Sequence, residues 1–201
     1  MCGACCGGAL PPRGVYALRD PIESHVIGLL DLLGEDVDRD GLRDTPARVA
    51  RAWRELTEGY KQDPAAILDT TFEMGKYDQM VVVRDIEFWS LCEHHLLPFH
   101  GRACVGYLPD ERVVGLSKLG RLVQCFARRL QVQERMTQEI ADAVAKHLAP
   151  LGVGVVVQAS HTCMAMRGIR LGADMLTSAL LGKFRDDATM RAEFLTLAGL
   201  R

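Results

Sequence analysis

Two short clusters of cysteine and histidine are the residues of this chain best suited to chemistry. The first is Cys92-Glu93-His94-His95 and the second is His161-Thr162-Cys163. Zinc prefers thiolate and imidazole ligands, whereas magnesium and calcium prefer oxygen donors. One thiolate and one imidazole from the first cluster, with one thiolate from the second, give three protein ligands. A fourth, open position is typical of a catalytic zinc site, so the pattern indicates a metal-dependent hydrolase.

The spacing leaves part of this ligand set open. Cys92 and His95 form a C-x-x-H spacing that a tight turn can close around one ion, whereas Cys92 and His94 could chelate from an extended segment. His161 and Cys163 are two residues apart at an expected strand end, so their side chains should point to one face. A structural zinc with His94 or His161 as the fourth ligand is an alternative, and a metal-free set of buried residues is another. If the zinc is catalytic, the remaining histidines are suited to carry protons.

Charged side chains elsewhere could bind a nucleotide. Ser117-Lys118 and Arg121 lie at an expected helix start, where backbone N–H groups also point outward, and predict a phosphate cradle; a solvated basic helix face is the alternative. Arg167 adds a cation near the second cluster. In Gln133-Glu134, the carboxylate could accept two N–H bonds from a guanine edge, or could simply be an acid favoured by the helix dipole. Glu93, between its cluster neighbours, is interpreted as structural.

Strands and helices must bring these side chains together. Apolar periodicity predicts a helix from Pro21, and Thr45-Pro46 predicts a second helix with Thr45 as its N-cap. Enrichment in β-branched and aromatic residues predicts strands within 80–89, 101–108 and 153–159. The first two strands should form an antiparallel ribbon with the first cluster on their connection.

Long helical segments follow the ribbon. Residues 119–148 are helical, but the apolar phase slips near Leu130-Gln131, which predicts two consecutive helices. A closing helix is expected near 187–197. The order of helices, hairpin, long helices and strand predicts an α+β domain with a mainly antiparallel sheet.

The composition is that of a globular protein. The chain has 201 residues, of which 48% are hydrophobic and 25% charged, and a formal net charge of −2. This balance argues against a nucleic-acid binder, which is usually strongly basic, and no apolar run of about 18 residues predicts a membrane span. An odd number of cysteines, seven, and the lack of a signal-peptide pattern predict a reducing, cytoplasmic location.

The domain organisation follows from the same composition. We expect residues 1–19 to form a flexible leader and residues 20–201 a single domain, with N-terminal helices at about 20–60 and the catalytic part at about 78–201. The leader could hold a second metal or accept palmitate, although incidental thiols in a disordered tail are the simpler interpretation. The cysteines concerned are Cys2, Cys5 and Cys6.

Four motifs in this order resemble the zinc-dependent GTP cyclohydrolase I family. They are the segments 92–99, 115–119, 131–137 and 161–168. Shorter matches at 41–50 and 193–195 extend the resemblance to about residues 20–198. It implies a tunnelling fold, in which an antiparallel sheet carries two long helices on one face. It also implies pentameric barrels that pair into a homodecamer, with sites between subunits.

The resemblance also implies a role for each candidate residue. The zinc ligands would be Cys92, His95 and Cys163. The acid–base histidines would be His94 and His161. Glu134 would anchor the guanine with Gln133 alongside. The residues holding the ribose triphosphate would be Ser117, Lys118, Arg121 and Arg167.

The reaction implied is the hydrolysis and rearrangement of GTP. A zinc-activated water attacks C8, the imidazole ring opens, and formate leaves. Rearrangement of the ribose and ring closure then give 7,8-dihydroneopterin triphosphate, at the start of pterin or folate-type biosynthesis. The segment 169–181 departs from the family by carrying fewer hydroxyls, although it keeps Thr177 and Ser178.

Two alternative functions fit these residues less well. An NADPH-dependent nitrile reductase of the same fold would use a nucleophilic cysteine and would not need two Cys/His clusters. A non-catalytic, zinc-stabilised binding protein would have no need of His94, His161 or Glu134.

Overall fold

The computed structural model of this chain describes residues 20–73 and 77–200. The predicted leader and its three cysteines lie outside the described residues. The chain divides into two compact units, Met1–Trp53 and Arg54–Arg201, and the second contains every strand and every candidate site residue. The single domain over residues 20–201 stays a prediction. Within the described residues, no helix combines the length and the apolar character needed to cross a bilayer.

Both predicted N-terminal helices are present. Helix α1 covers Pro21–Leu32, and the Asp20 side chain caps it by accepting a hydrogen bond from the backbone N–H of Ile22 at 2.9 Å. Helix α2 covers Thr45–Leu56. Thr45 is therefore the first helical residue and not the N-cap, and its hydroxyl donates back to the Gly41 carbonyl at 3.3 Å.

The second unit is built on a five-stranded sheet in the order β5-β2-β3-β6-β7. Its strands are β2 (Val81–Cys92), β3 (Pro98–Leu108), β5 (Leu130–Gln131), β6 (Gly152–His161) and β7 (Asp174–Gly182). All neighbours pair antiparallel except β5, which runs parallel to the end of β2. The predicted ribbon is confirmed as β2 and β3. Strand β7 was not predicted, because Thr177 is its only β-branched residue.

Two long helices cover one face of this sheet, as the resemblance implied. Helix α4 covers Leu116–Ala127 and helix α5 covers Gln133–Leu148, with β5 at the predicted break between them. Alternate strand residues point toward these helices: Val155 and Val157 join the core under them, whereas Val156 faces the other side. The α+β tunnelling fold is therefore confirmed.

The opposite face is partly covered by the last two helices, α7 (Lys183–Asp186) and α8 (Ala188–Leu197). The rings of Phe184 and Phe194 stack with centroids 5.2 Å apart, and both residues are fully buried. Phe194 lies so close to Gly106 and Gly154 that a Cβ on either glycine would come within 2.7 and 2.5 Å of the ring. The two glycines therefore make the depression into which α8 packs.

Short elements complete the second unit. They are a 3₁₀ turn (Glu58–Lys61), α3 (Pro64–Leu68), β1 (Thr71–Glu73), β4 (Arg112–Val114) and α6 (Thr162–Ala165). Strands β1 and β4 pair with each other in a separate two-stranded antiparallel sheet.

Candidate functional site

Cys92, His95 and Cys163 come together at one end of the large sheet. Their ligand atoms all lie within 4.8 Å of one another, and Cys92 Sγ is 3.9 Å from His95 Nδ1. Around a tetrahedral zinc, neighbouring sulfur and nitrogen ligands are about 3.5–3.8 Å apart, given bonds of about 2.3 and 2.0 Å. The three donors thus lie near the separations that one ion requires, and the group could hold a metal.

A tight turn at the end of β2 brings His95 back toward Cys92. The Cys92 carbonyl accepts hydrogen bonds from the backbone N–H groups of His95 at 3.3 Å and Leu96 at 2.8 Å. The Cys92 N–H donates to the Leu97 carbonyl at 2.8 Å, and Leu96 adopts a left-handed φ of 58° to close the turn. Of the two histidines that the spacing left open, His95 is therefore the one in the group.

The second cluster is divided between a strand and a helix. Strand β6 ends at His161, and α6 begins at Thr162, whose hydroxyl donates to the Pro98 carbonyl at 2.5 Å. The expectation that His161 and Cys163 share a strand face was wrong, because the chain turns into a helix between them. Burial, and then contact with Cys92, raise the pKa of the Cys163 thiol, and the charge of Arg167 opposes this.

His161 is held apart from the metal-binding group. Its ring stacks on Phe99 with centroids 4.7 Å apart, and its Nε2 lies 2.8 Å from Gln133 Oε1. Gln133 is fully buried, and its amide nitrogen donates to the carbonyls of Val157 and Met175. The resemblance implied that Gln133 lies alongside the guanine. In this structure its side chain is hydrogen-bonded to His161 and to backbone carbonyls of β6 and β7.

The start of α5 is fixed beside the first cluster by β5. Leu130 and Gln131 pair with the last two residues of β2, and the Glu93 N–H donates to the Gln131 carbonyl at 3.0 Å. This pairing places the exposed Glu134, in the first turn of α5, close enough for its charge to act on His161. Burial is the main cause that lowers the pKa of His161, and Glu134 partly opposes it.

Two further candidate residues, His94 and Arg167, lie near His95. The rings of His94 and His95 are 6.2 Å apart, and both residues are exposed. Partial loss of solvent lowers the pKa of His95, and the charges of Arg167 and His94 lower it further. A lowered pKa favours the neutral form of His95, which is the form that binds a metal.

The predicted phosphate cradle begins at the end of α4 that is remote from the metal-binding group. Helix α4 runs in the same direction as β2: Gln124 donates to the Glu87 carbonyl at 2.7 Å, and Leu130 pairs with Leu91 near the metal-binding group. The first turn of α4 lies about 15 Å from its last residue, at 1.5 Å per residue. This first turn carries Ser117 and Lys118, and Arg121 follows in the second turn.

Sequence reasoning missed three residues around His161. Phe99 stacks on its ring, while Thr177 and Thr137 exchange a hydroxyl hydrogen bond of 2.7 Å behind Gln133. Phe99 could have been found as the last residue of the first motif, and Thr177 as a retained hydroxyl in the altered segment. Thr137 could likewise have been found as the last residue of the third motif.

The sequence profile of the GTP cyclohydrolase I family matches residues 22–199. The GTP cyclohydrolase 1 of Nitrosospira multiformis is 57% identical over 172 residues, which are 85% of this chain and 90% of that protein. The enzymes of the same name from Wolinella succinogenes and Dictyostelium discoideum are 51% and 50% identical, covering 87% and 90% of this chain and 94% and 79% of theirs. Among solved structures, an apo archaeosine synthase QueF-Like has a TM-score of 0.42 at 16% identity, covering 52% of this chain and 96% of its own. By its profile match and these relatives, the chain belongs to the GTP cyclohydrolase I family.

Proposed function

We propose that this protein converts GTP to 7,8-dihydroneopterin triphosphate and formate. The observation that carries the proposal is the convergence of Cys92, His95 and Cys163 at one end of the sheet, in a chain of this family. His161 and Glu134 lie at the same end, so proton carriers and a purine-binding carboxylate accompany the metal donors.

Zinc is the metal that suits this donor set. Two thiolates and one imidazole favour zinc over hard cations such as magnesium. Within the described residues the group has three members, and His161 is turned to Gln133, so a site with an open position is favoured over a closed structural one. When bound, zinc would supply the Lewis acidity that lowers the pKa of water to about 7.

The chain's own residues then have to move protons. Breaking the C8–N9 and C8–N7 bonds consumes two waters and releases C8 as formate. Ring closure after the ribose rearrangement expels one water, so one water is consumed overall. His161, whose pKa is lowered by burial, is available as a neutral base, and the exposed His94 is suited to return protons to the departing nitrogens.

Substrate binding is divided between two regions of the chain. The carboxylate of Glu134 can accept the N1–H and N2–H of guanine, and Arg167 can pair with phosphate oxygens near the metal donors. Ser117 and Lys118 lie in the first turn of α4, at its other end, and Arg121 follows in the second turn. We therefore place them in the site of a neighbouring copy, where they would bind the triphosphate.

The edges of the sheet support such an assembly. Strand β7 forms one edge, and on the other edge β2 is paired only at its last two residues, counting the strands that the structure describes. Unpaired edges are templates for pairing with another chain, and pairing unlike edges generates a ring. The resemblance favours rings of five subunits that pair into a decamer. The free cysteines favour a reducing location, the cytoplasm.

The test is a direct assay of purified protein with its zinc content measured. Incubation with GTP should yield a pterin chromophore and one formate for each GTP consumed, while ATP should yield neither. A zinc-loaded, oligomeric preparation that forms no pterin and no formate from GTP would overturn the proposal.

A further inference from the structure

The side chain of Gln133 links α5 to two strands and to His161. Its amide Nε2 donates to the Val157 carbonyl at 3.1 Å, the Met175 carbonyl at 2.9 Å and the Thr177 hydroxyl at 3.2 Å. Its Oε1 lies 2.8 Å from His161 Nε2. Gln133 has no exposed surface, so these groups, and not water, satisfy the hydrogen-bonding capacity of its amide.

These partners decide which end of the amide faces His161. A backbone carbonyl can only accept a hydrogen bond, so the amide atom between Val157 and Met175 has to be the nitrogen. The other atom, Oε1, therefore faces the histidine. Amide orientations are assigned from the hydrogen-bond network, and the two carbonyl acceptors fix the orientation of this amide.

The orientation of the amide in turn decides the tautomer of His161. Because Oε1 only accepts, His161 Nε2 must carry the hydrogen. In the neutral ring, Nδ1 is then the nitrogen with a free lone pair. The stacking of the ring on Phe99, with planes 4° apart, holds it in the plane in which this bond is made.

Gln133 is itself held in place on its backbone side. The Thr137 hydroxyl contacts the Gln133 carbonyl at 2.7 Å and the Thr177 hydroxyl at 2.7 Å. Thr137 is also buried, and within the described residues no buried side-chain nitrogen or oxygen lacks a hydrogen-bond partner. A fully satisfied buried network is rigid, which suits it to hold a reacting group.

We propose that Gln133 is a positioning residue: it holds His161 in the Nε2–H tautomer with Nδ1 as the free nitrogen, and does not contact GTP. The proposal deepens the proposed function and rests on it. It departs from the expectation that Gln133 lies alongside the guanine. A substrate contact would act mainly on KM, whereas misorienting the histidine would act on kcat.

The kinetic test compares Gln133→Leu with Gln138→Leu, a change at an exposed glutamine of the same helix, in the zinc-loaded oligomer. The leucine variant loses the acceptor for His161, and kcat should fall about 10–100-fold, the usual cost of removing such a supporting partner. Its KM for GTP and its zinc content should stay within about twofold. Gln138→Leu leaves every partner of Gln133 in place and should retain kcat within about threefold. A rise in KM at unchanged kcat in the leucine variant would show a substrate contact and overturn the proposal.

A spectroscopic test does not depend on the leucine variant folding. Solid-state ¹⁵N NMR of histidine-labelled, zinc-loaded wild type can resolve six histidines, and His161→Asn assigns the signal of His161. The proposal expects a protonated Nε2 and an unprotonated Nδ1 at a pH where the ring is neutral. A protonated Nδ1 would overturn it. If wild type forms no product from GTP, the proposed function fails, and the NMR signal still decides the tautomer separately.

Discussion

The carboxylate of Glu93 pairs with the guanidinium of Arg135, and this ion pair links the turn that carries His95 to the first turn of α5. A second contact between the same two groups is 3.4 Å long. Arg135 also donates to Gln131 Oε1 at 3.2 Å, which extends the link to β5. The turn that carries His95 and the first turn of α5, which carries Glu134, are thereby tied to one another.

The ion pair should make stability depend on pH. The hydrogen bond from Arg135 is the main cause that lowers the pKa of Glu93 below its usual value of about 4.3. A lowered pKa stabilises the fold above the unfolded value, and that contribution disappears as the pH falls through the folded value. Glu93→Gln should therefore have a lower Tm than wild type at pH 7, with the difference shrinking below about pH 4. A difference that does not change with pH would contradict this. The exposed Glu87, paired with Arg102 at 3.4 Å, provides Glu87→Gln as a control with a smaller effect.

Cys163→Ala should abolish metal binding and turnover. Two remaining donors cannot fix a tetrahedral ion, so zinc measured by mass spectrometry should fall below about a tenth of an equivalent per chain. Pterin formation from GTP should fall to background in the same preparation.

Cys104→Ala is the matched control for this cysteine. Burial raises the pKa of the Cys104 thiol to about 11, and the residue packs in the apolar cluster under α8. Its replacement should cost about 1 kcal/mol of stability and leave zinc and kcat intact. Wild-type activity in Cys163→Ala would remove the metal from the mechanism.

Glu134→Gln should weaken the use of GTP far more than the binding of zinc. A hydrogen bond to a charged group is worth about 1.5–3 kcal/mol, so kcat/KM should fall about 10–100-fold. Asp142→Asn is the control. It removes an exposed carboxylate from the same helix, two turns after Glu134, and should leave kcat/KM unchanged. Equal kcat/KM for Glu134→Gln and wild type would refute the role of this carboxylate.

Two inactive variants should restore each other if sites are shared between copies. Lys118→Ala keeps the metal donors, and Cys163→Ala keeps the cradle. When they are co-expressed in equal amounts, about a quarter of the sites should combine both intact halves and regain activity. Co-expression of His95→Ala with Cys163→Ala is the control, because both changes damage the same half. No recovery in a verified mixed oligomer would place the whole site within one chain.

Gly154→Ala should destabilise the protein without touching the site. The added Cβ would meet the Phe194 ring at 2.5 Å and Phe184 at 2.8 Å, a degree of overpacking that usually costs about 1–3 kcal/mol. Gly120→Ala, in α4, adds a Cβ with no atom within 4 Å and should be neutral or stabilising, because alanine favours helix. Denaturant unfolding measures both, and equal stability of the two variants would contradict the packing described for α8.

Local patterns sufficed for much of the site and failed where distant segments meet. The Cys92 to His95 spacing allowed a tight turn because both ligands lie on one short segment, but it did not choose between His94 and His95. Cys163 lies in the metal-binding group, but it does not share a strand face with His161, because β6 ends at His161 and α6 begins at Thr162, a boundary that alternation cannot locate. The partners of Gln133 are carbonyls of β6 and β7, and no pattern within α5 reveals contacts made by strands that follow it. The direction of α4 beside β2 is likewise set by tertiary packing, so the distance of the cradle from the metal donors could not be read from spacing.

The depression formed by Gly106 and Gly154 has a consequence for biosynthesis. Helix α8 follows β7 in the chain, so a nascent polypeptide completes all its strands before Phe194 leaves the ribosome. Until then the depression formed by the two glycines is an exposed apolar surface. A truncated product that ends just after β7 would expose this surface permanently. Chaperones and proteases would recognise such a product by a surface that the finished protein hides.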